Sequence, residues 1–298
     1  MLTSPLCRRI TLAGGWLAVL LAICVPQVLN AQMPLGLGDW YPVADLELMY
    51  DDNINRSIDG SGEKGDLVIA PQLSLLMQRP LAHRWAFTGQ GYVQGTIHGQ
   101  YNKLNYLAPG LEAGFSYALG DTPRALLLRA QLGLRYEFHE QDFRFGAEMI
   151  PRLSAEFGLG AQLYAALYYE YDNRFASEEE IYDREGHTFG FTVDLELAPE
   201  YGVELGYAYR RGDVLVHQPT TTPAPNIRGE VFPVDNTFKS RFAALKFEDQ
   251  DQHHLYVGAY YALSLYTTVN FRVAYEQIDL DDDTVASTQF RLALSHLL

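Results

Sequence analysis

The stretch from Leu111 to Phe138 limits what this chain can fold into more than any other. Leu111, Ala113, Phe115, Tyr117 and Leu119 take alternate positions, with Glu112, Gly114, Ser116 and Ala118 between them. Gly120-Asp121-Thr122-Pro123 then supplies turn chemistry. After it Leu126, Leu128, Ala130, Leu132, Leu134, Tyr136 and Phe138 resume the alternation, opposed by Leu127, Arg129, Gln131, Gly133, Arg135 and Glu137. A period of two means strand, because successive side chains point to opposite faces. The apolar row is unbroken, whereas the other row carries charges at mid-strand. One face of this hairpin must therefore meet an apolar surrounding and the other must meet water or charged partners.

The pattern recurs along the chain. Ala44 to Tyr50, Leu67 to Met77, Trp85 to Ile97, Ala147 to Phe157, Leu163 to Tyr171 and Phe189 to Leu197 all alternate. So do Val203 to Tyr209, Leu255 to Leu263, Val269 to Tyr275 and Phe290 to Leu298. With the opening hairpin these make about twelve segments, each near the length that crosses a bilayer when tilted. Short connections such as Gly158 to Gly160 and Ala198 to Glu200 alternate with long ones such as Asp51 to Asp66 and Asn173 to Gly186. That asymmetry belongs to a membrane barrel with its short turns on the periplasmic side, and a β-sandwich does not require it. Tyrosines at strand ends, among them Tyr106, Tyr171, Tyr201, Tyr209 and Tyr275, fit aromatic girdles at the two interfaces. The fold class is all-β, a transmembrane antiparallel up-and-down barrel of about twelve strands.

One region breaks the rhythm. Gly212 to His253 contains Pro219, Pro223, Pro225 and Pro233, and only Phe238 to Phe247 within it alternates in part. Reading it as one long outer loop near 212–253 gives twelve strands, and finding a second crossing there gives fourteen. Twelve is preferred, because proline removes a ladder donor.

The first residues are of a different kind. Arg8-Arg9 precede an apolar run from Ile10 to Val25, and Leu29-Asn30-Ala31 offers small residues for cleavage. This predicts a secretory signal over residues 1–31, with a single domain over 32–298. The run is shorter than the roughly 20 residues of a spanning helix. Leu21-Ala22-Ile23-Cys24 resembles a lipobox, with Ile23 bulkier than that motif favours. Cleavage removes both cysteines, Cys7 and Cys24, and with them disulfide chemistry. It also leaves 20 basic residues of the original 22 against 37 acidic ones, so the formal charge moves from −15 to −17. Nucleic acid is excluded as a partner, because phosphates require a basic footprint.

On Tyr50-Asp51-Asp52-Asn53-Ile54-Asn55, Asp235-Asn236-Thr237-Phe238 and the closing Phe290-Arg291-Leu292-Ala293-Leu294, the chain resembles the outer-membrane β-barrel, porin-like proteins of Gram-negative bacteria. The resemblance implies a place, the cell outer membrane. It also implies partners: outer-membrane lipid, lipopolysaccharide and the barrel-assembly machinery.

The polar rows predict a lumen lined by Glu112, Arg129, Arg135, Glu137, Glu148, Arg152, Glu156 and Glu170 in the first part of the chain. Asp194, Glu196, Glu204, Arg210, Arg272, Glu276 and Arg291 complete the set. Charges need water or partners, so this lumen is either wet or laced with ion pairs. Acids outnumber bases in it, and an open lumen of this kind predicts a narrow, porin-like channel that favours small cationic solutes. The alternative is a closed barrel acting as a surface scaffold or adhesin through its acidic loops. Asp279, Asp281, Asp282 and Asp283 form the tightest acidic cluster, a weak candidate for surface Ca2+ or Mg2+ without EF-hand spacing. No other cofactor is implied. An outer-membrane hydrolase would have to bring His253-His254 and Asp51-Asp52 together, and no recognisable catalytic motif does so. The chain therefore reads as non-enzymatic.

Overall fold

The computed structural model describes residues 39–58, 62–122, 125–220, 231–238, 242–280 and 283–298, and the expected signal segment lies outside them. The alternating segments form strands β1 (Asp39–Asp51), β2 (Asp66–Ala82), β3 (Trp85–His98), β4 (Tyr106–Leu119), β5 (Leu126–His139) and β6 (Gly146–Gly158). Then come β7 (Leu163–Ala176), β8 (Arg184–Ala198), β9 (Tyr201–Pro219), β10 (Val231–Asp235), β11 (Phe242–Ala262), β12 (Thr267–Asp279) and β13 (Thr284–Leu297). Each pairs antiparallel with its chain neighbours up to β9, which pairs with β11. β13 returns to β1, from Val43↔Leu297 to Asp51↔Gln289, so twelve strands close a ring without free edges. β10 stands outside that ring, pairing with β11 beyond the point where β12 ends.

The two faces of the wall separate by parity. Leu111 (66 % exposed), Phe115, Leu132, Leu167, Val257 and Leu292 point outward and form an exposed apolar belt around the ring. Water would not tolerate a patch of that extent, and a bilayer requires it. Outward Trp85, Tyr117, Tyr201 and Tyr261 border the belt at the short-turn end, and Tyr171 and Tyr209 do so at the long-loop end. From Tyr201 to Tyr209 the strand rises roughly 27 Å, close to the span of a tilted bilayer-crossing strand. Tyr106 differs from the expected girdle. It lies on the inner face, its ring 5.1 Å from that of His139.

Prolines are accommodated where one side of a ladder lapses. The β2–β3 ladder skips Ala70–Pro71, β4–β5 skips Ala108–Pro109, and β6–β7 skips Ile150–Pro151. In each case the missing N–H faces the strand that loses its pairing.

The region expected as a loop near 212–253 is largely paired. β9 continues to Pro219 and β11 begins at Phe242, and the two stay in register from Gly212↔Gln250 upward through a bulge between Phe247 and Gln250. Asp249 in that bulge has φ +56°, a left-handed corner that Asp tolerates better than most residues. The prolines bound this hairpin rather than abolish it. Pro219 ends β9, and Pro233 falls where the β10–β11 register shifts.

Candidate functional site

The β9–β11 hairpin above the bulge lies across the long-loop mouth of the barrel. Its inner row, Val214, Val216, Leu245 and Phe247, packs on Ile278, Leu280 and Val285 at the top of β12 and β13. Its other face, Leu215 and Ala244, packs on Ile181 and Tyr182 between β7 and β8, and on Phe143 between β5 and β6. Phe238 and Phe242 cluster with Tyr101 and Leu104, which precede β4, and with Ile54, which follows β1. The His217 backbone is bonded twice to Asn55: its N–H donates to the Asn55 carbonyl (2.9 Å), and the Asn55 side-chain Nδ2 donates to the His217 carbonyl (3.0 Å). The His217 ring meets Arg144 at 3.1 Å, and Thr237 donates to Gln141 at 2.9 Å. One hairpin thus touches all five other long connections, which only a lid over the centre of the ring can do.

Beneath the lid the inner wall is a belt of ion pairs. Glu137 accepts from Arg174 (3.1 Å) and His139 (3.2 Å) and pairs with Arg135 (3.1 Å), which also pairs with Glu148. The side chains of Glu137, Glu148 and Arg174 are only 5–7 % exposed. Arg174 also donates to the carbonyls of Tyr182 and Arg144, tying the wall to two loops. Arg210 is bidentate on Asp172, at 2.8 and 3.1 Å. In the loop after β1, Arg56 bridges Asp51 (2.9 Å) and Glu276 (2.7 Å). Burial pulls the Arg56 guanidinium down, but the Glu276 and Asp51 carboxylates together outweigh it and leave the group above its ordinary pKa.

The other half of the lumen, toward the short turns, is wetter. Arg129 pairs with Glu156 at 3.0 Å, and Arg152 with Glu170 at 3.0 Å, yet these arginines and Glu156 are 34–44 % exposed inside the ring. Arg272 pairs with Glu204 at 2.8 Å, and Arg291 donates to Gln289 at 2.6 Å. Glu112 accepts from Gln131 (2.7 Å) and Asp45 from Ser295 (2.5 Å). Glu47, Asp194 and Glu196 have no cationic partner within ion-pair distance among the described residues.

Tyrosines lie flat on this inner wall, each over a glycine directly opposite on the next strand: Tyr92 over Gly110, Tyr168 over Gly190, Tyr256 over Gly206 and Tyr260 over Gly202. A Cβ at any of these glycines would land inside the ring. Two of the rings carry a guanidinium on the lumen side, Arg152 at 4.8 Å from Tyr168 and Arg272 at 4.1 Å from Tyr256. The seat keeps the rings against the wall.

All fifteen residues predicted to line the lumen are on the inner face. They fall into two groups that a polar row does not distinguish. Arg135, Glu137, Glu148, Arg210 and Glu276 belong to the belt under the lid, and the rest to the middle and lower lumen. Asp172, Arg174, Tyr168, Tyr256 and the whole lid went unassigned in the sequence. The signals were the continued polar row in β7 and the apolar pairs Val214/Val216 and Leu245/Phe247. Of the histidines and acids a hydrolase would need, His253 and Asp51 do not meet, and the inward His254 lies opposite Glu276. Asp51 is buried on the inside with Arg56, Ser287 and Gln289, whereas His253 is on the outer face beside Tyr207 and 3.7 Å from Asp279. Asp281 and Asp282 lie outside the described residues. Among the described residues no three histidine, cysteine or acidic side chains converge as for a metal.

A closed, even-stranded antiparallel ring with an apolar exterior, aromatic borders and a charged interior is an outer-membrane β-barrel. No family model matches the chain, and no curated protein matches it in sequence. The similarity is to solved structures. The COG4313 outer membrane channel from Pseudomonas putida F1 superposes with a TM-score of 0.60 at 10 % identity, covering 90 % of this chain and 98 % of that one. More distant are the KdgM porin in complex with disordered oligogalacturonate (TM-score 0.42, 11 % identity, 85 % and 98 % covered) and the NanC porin (0.44, 12 %, 86 % and 100 %).

Proposed function

We propose that this barrel is a narrow outer-membrane channel for small solutes, with a preference for cations, whose outer mouth is covered by the β9–β11 hairpin. The observation that carries the reading is the charge balance of the wet half of the lumen. Arg129, Arg152 and Arg272 are each matched by a carboxylate and Arg291 meets only neutral Gln289, while Asp45, Glu47, Glu112, Asp194 and Glu196 have no cation within ion-pair distance among the described residues. Unmatched carboxylates in a low-dielectric tube raise the local concentration of cations and exclude anions. Twelve strands leave a bore well below that of the 16–18-stranded porins, so the solutes are small. That a structural relative is itself an outer membrane channel supports the reading.

The lid favours a second reading, a closed surface scaffold, because its apolar packing is extensive. One experiment separates the two. The purified barrel and a variant joining Gly212 to Gln250 through a two-residue turn are compared in planar bilayers under a salt gradient. The channel reading expects the variant to conduct steadily with a cation-selective reversal potential. A folded variant that stays silent would favour the scaffold, and an anion-selective potential would overturn the cation preference.

A further inference from the structure

In a chain whose formal charge is −15, the upper lumen between β5 and β9 is the exception. Its strands turn Arg135, Arg174, Arg184 and Arg210 inward against Glu137, Glu148 and Asp172. Three of the four arginines hold carboxylates. Arg135 pairs with Glu137 and Glu148, Arg174 with Glu137, and Arg210 takes both oxygens of Asp172. Arg184 differs. Among the described residues its guanidinium has no ion pair and no hydrogen bond.

The place of Arg184 is set by its neighbours. It opens β8 two residues after Tyr182, part of the seat on which the lid packs through Leu215 and Ala244. Across the β7–β8 ladder it stands opposite Arg174. The next inward position on its own strand is Gly186, and the Arg210 guanidinium lies over that glycine. Arg184 is therefore beneath the lid, between two guanidiniums that are already engaged. The carboxylates that act on it, Glu148 and Glu137, are held by Arg135 and Arg174. Other acids nearby are also taken: Asp183 accepts from the Ala176 N–H, Asp213 pairs with Lys246 at 3.3 Å, and Glu185 is on the outer face with Tyr171.

A guanidinium cannot shed its proton to escape burial. Half-buried and unpaired, Arg184 has only lumen water to complete its donors, and an anion would remove the penalty of that state. Its planar fork matches the two oxygens of a carboxylate. We propose that Arg184 is the docking point, under the lid, for the carboxylate of a small solute. One unmatched positive charge suits a monoanion, whereas a phosphate dianion would bring a second charge that no free cation there meets. The site is about 33 Å along β8 from Asp194, so it and the cation-preferring lower lumen occupy different heights. Docking at Arg184 does not require that the barrel conduct, and the two readings fail separately.

The test uses the full-length barrel folded in detergent with 15N-labelled arginine, read by the Nε–H signals of the guanidiniums. Loss of a signal in Arg184→Lys, or in Arg184→Gln should the first variant not fold, identifies Arg184. Arg211→Lys identifies the exposed Arg211 in the same way as a reference. Titration with sodium acetate should move the Arg184 signal saturably, with half-saturation at about tenfold lower acetate than for Arg211, because the buried fork acts in a lower dielectric. Sodium chloride at equal ionic strength should leave the Arg184 signal in place. An Arg184 signal that does not move, or that moves no earlier than that of Arg211, would overturn the proposal. Tighter binding of inorganic phosphate than of acetate would assign the position to a dianion and overturn it too.

Discussion

The two halves of the lumen use the same residue types for opposite ends. Near the lid, Glu137, Glu148 and Arg174 are almost wholly buried, and every one of them is bound. Toward the short turns, Arg129, Arg152 and Glu156 keep a third or more of their side chains in water, and Asp194 and Glu196 are unmatched. A buried ion pair is stable only when its geometry and remaining hydrogen bonds are satisfied. A wet one contributes little to stability and instead sets the field along the path. The same arginine-to-carboxylate chemistry is therefore buried and paired in one half and solvated in the other, where the proposed channel would use it as an electrostatic filter.

The largest test removes the difference outright. Replacing the lid above Gly212 and Gln250 by a short turn should raise conductance by about 100-fold, from closed to open, as measured on single barrels in planar bilayers. Next, Glu137→Ala would leave Arg135, Arg174 and His139 facing one another without their shared acid. It should cost about 3 kcal/mol, read from urea unfolding in lipid vesicles. A loss no greater than that of Glu156→Ala would show that the two halves are not different after all. Gly190→Ala would push Tyr168 off its seat and should cost about 1–2 kcal/mol, while also narrowing the bore.

A smaller effect should come from the wet half. The D194N/E196Q variant should unfold like the parent but lower the cation-to-anion permeability ratio about threefold. Glu148→Gln, whose charge Arg135 already matches, should affect stability more than selectivity. Smallest of all is Arg84→Ala, which removes an exposed pair with Asp121 in a short turn (3.1 Å) and should leave the unfolding midpoint where it was.

Much of this was legible in the residues alone. Leu111 to Phe138 announced a strand pair with one apolar face, and its recurrence gave a barrel because period-two patterning reports which side of a strand meets which solvent. All fifteen predicted inner residues are on the inner face for the same reason. Parity is a local property, carried by each strand without reference to its neighbours. The lid was illegible on the same grounds. Prolines at 219, 223, 225 and 233 read as a loop, and nothing local says that Val214, Val216, Leu245 and Phe247 will find Ile278, Leu280 and Val285 across the mouth.

The sequence by itself thus determined the twelve-stranded wall and which side of it each residue occupies, since backbone geometry alone enforces alternation. Which charges are buried in ion pairs beneath the lid and which stay in contact with water was decided only by tertiary structure. That distinction depends on height along the strands, on the partner each charge meets from another strand, and on one hairpin folding inward at Asp249 to bury its apolar faces among five loops.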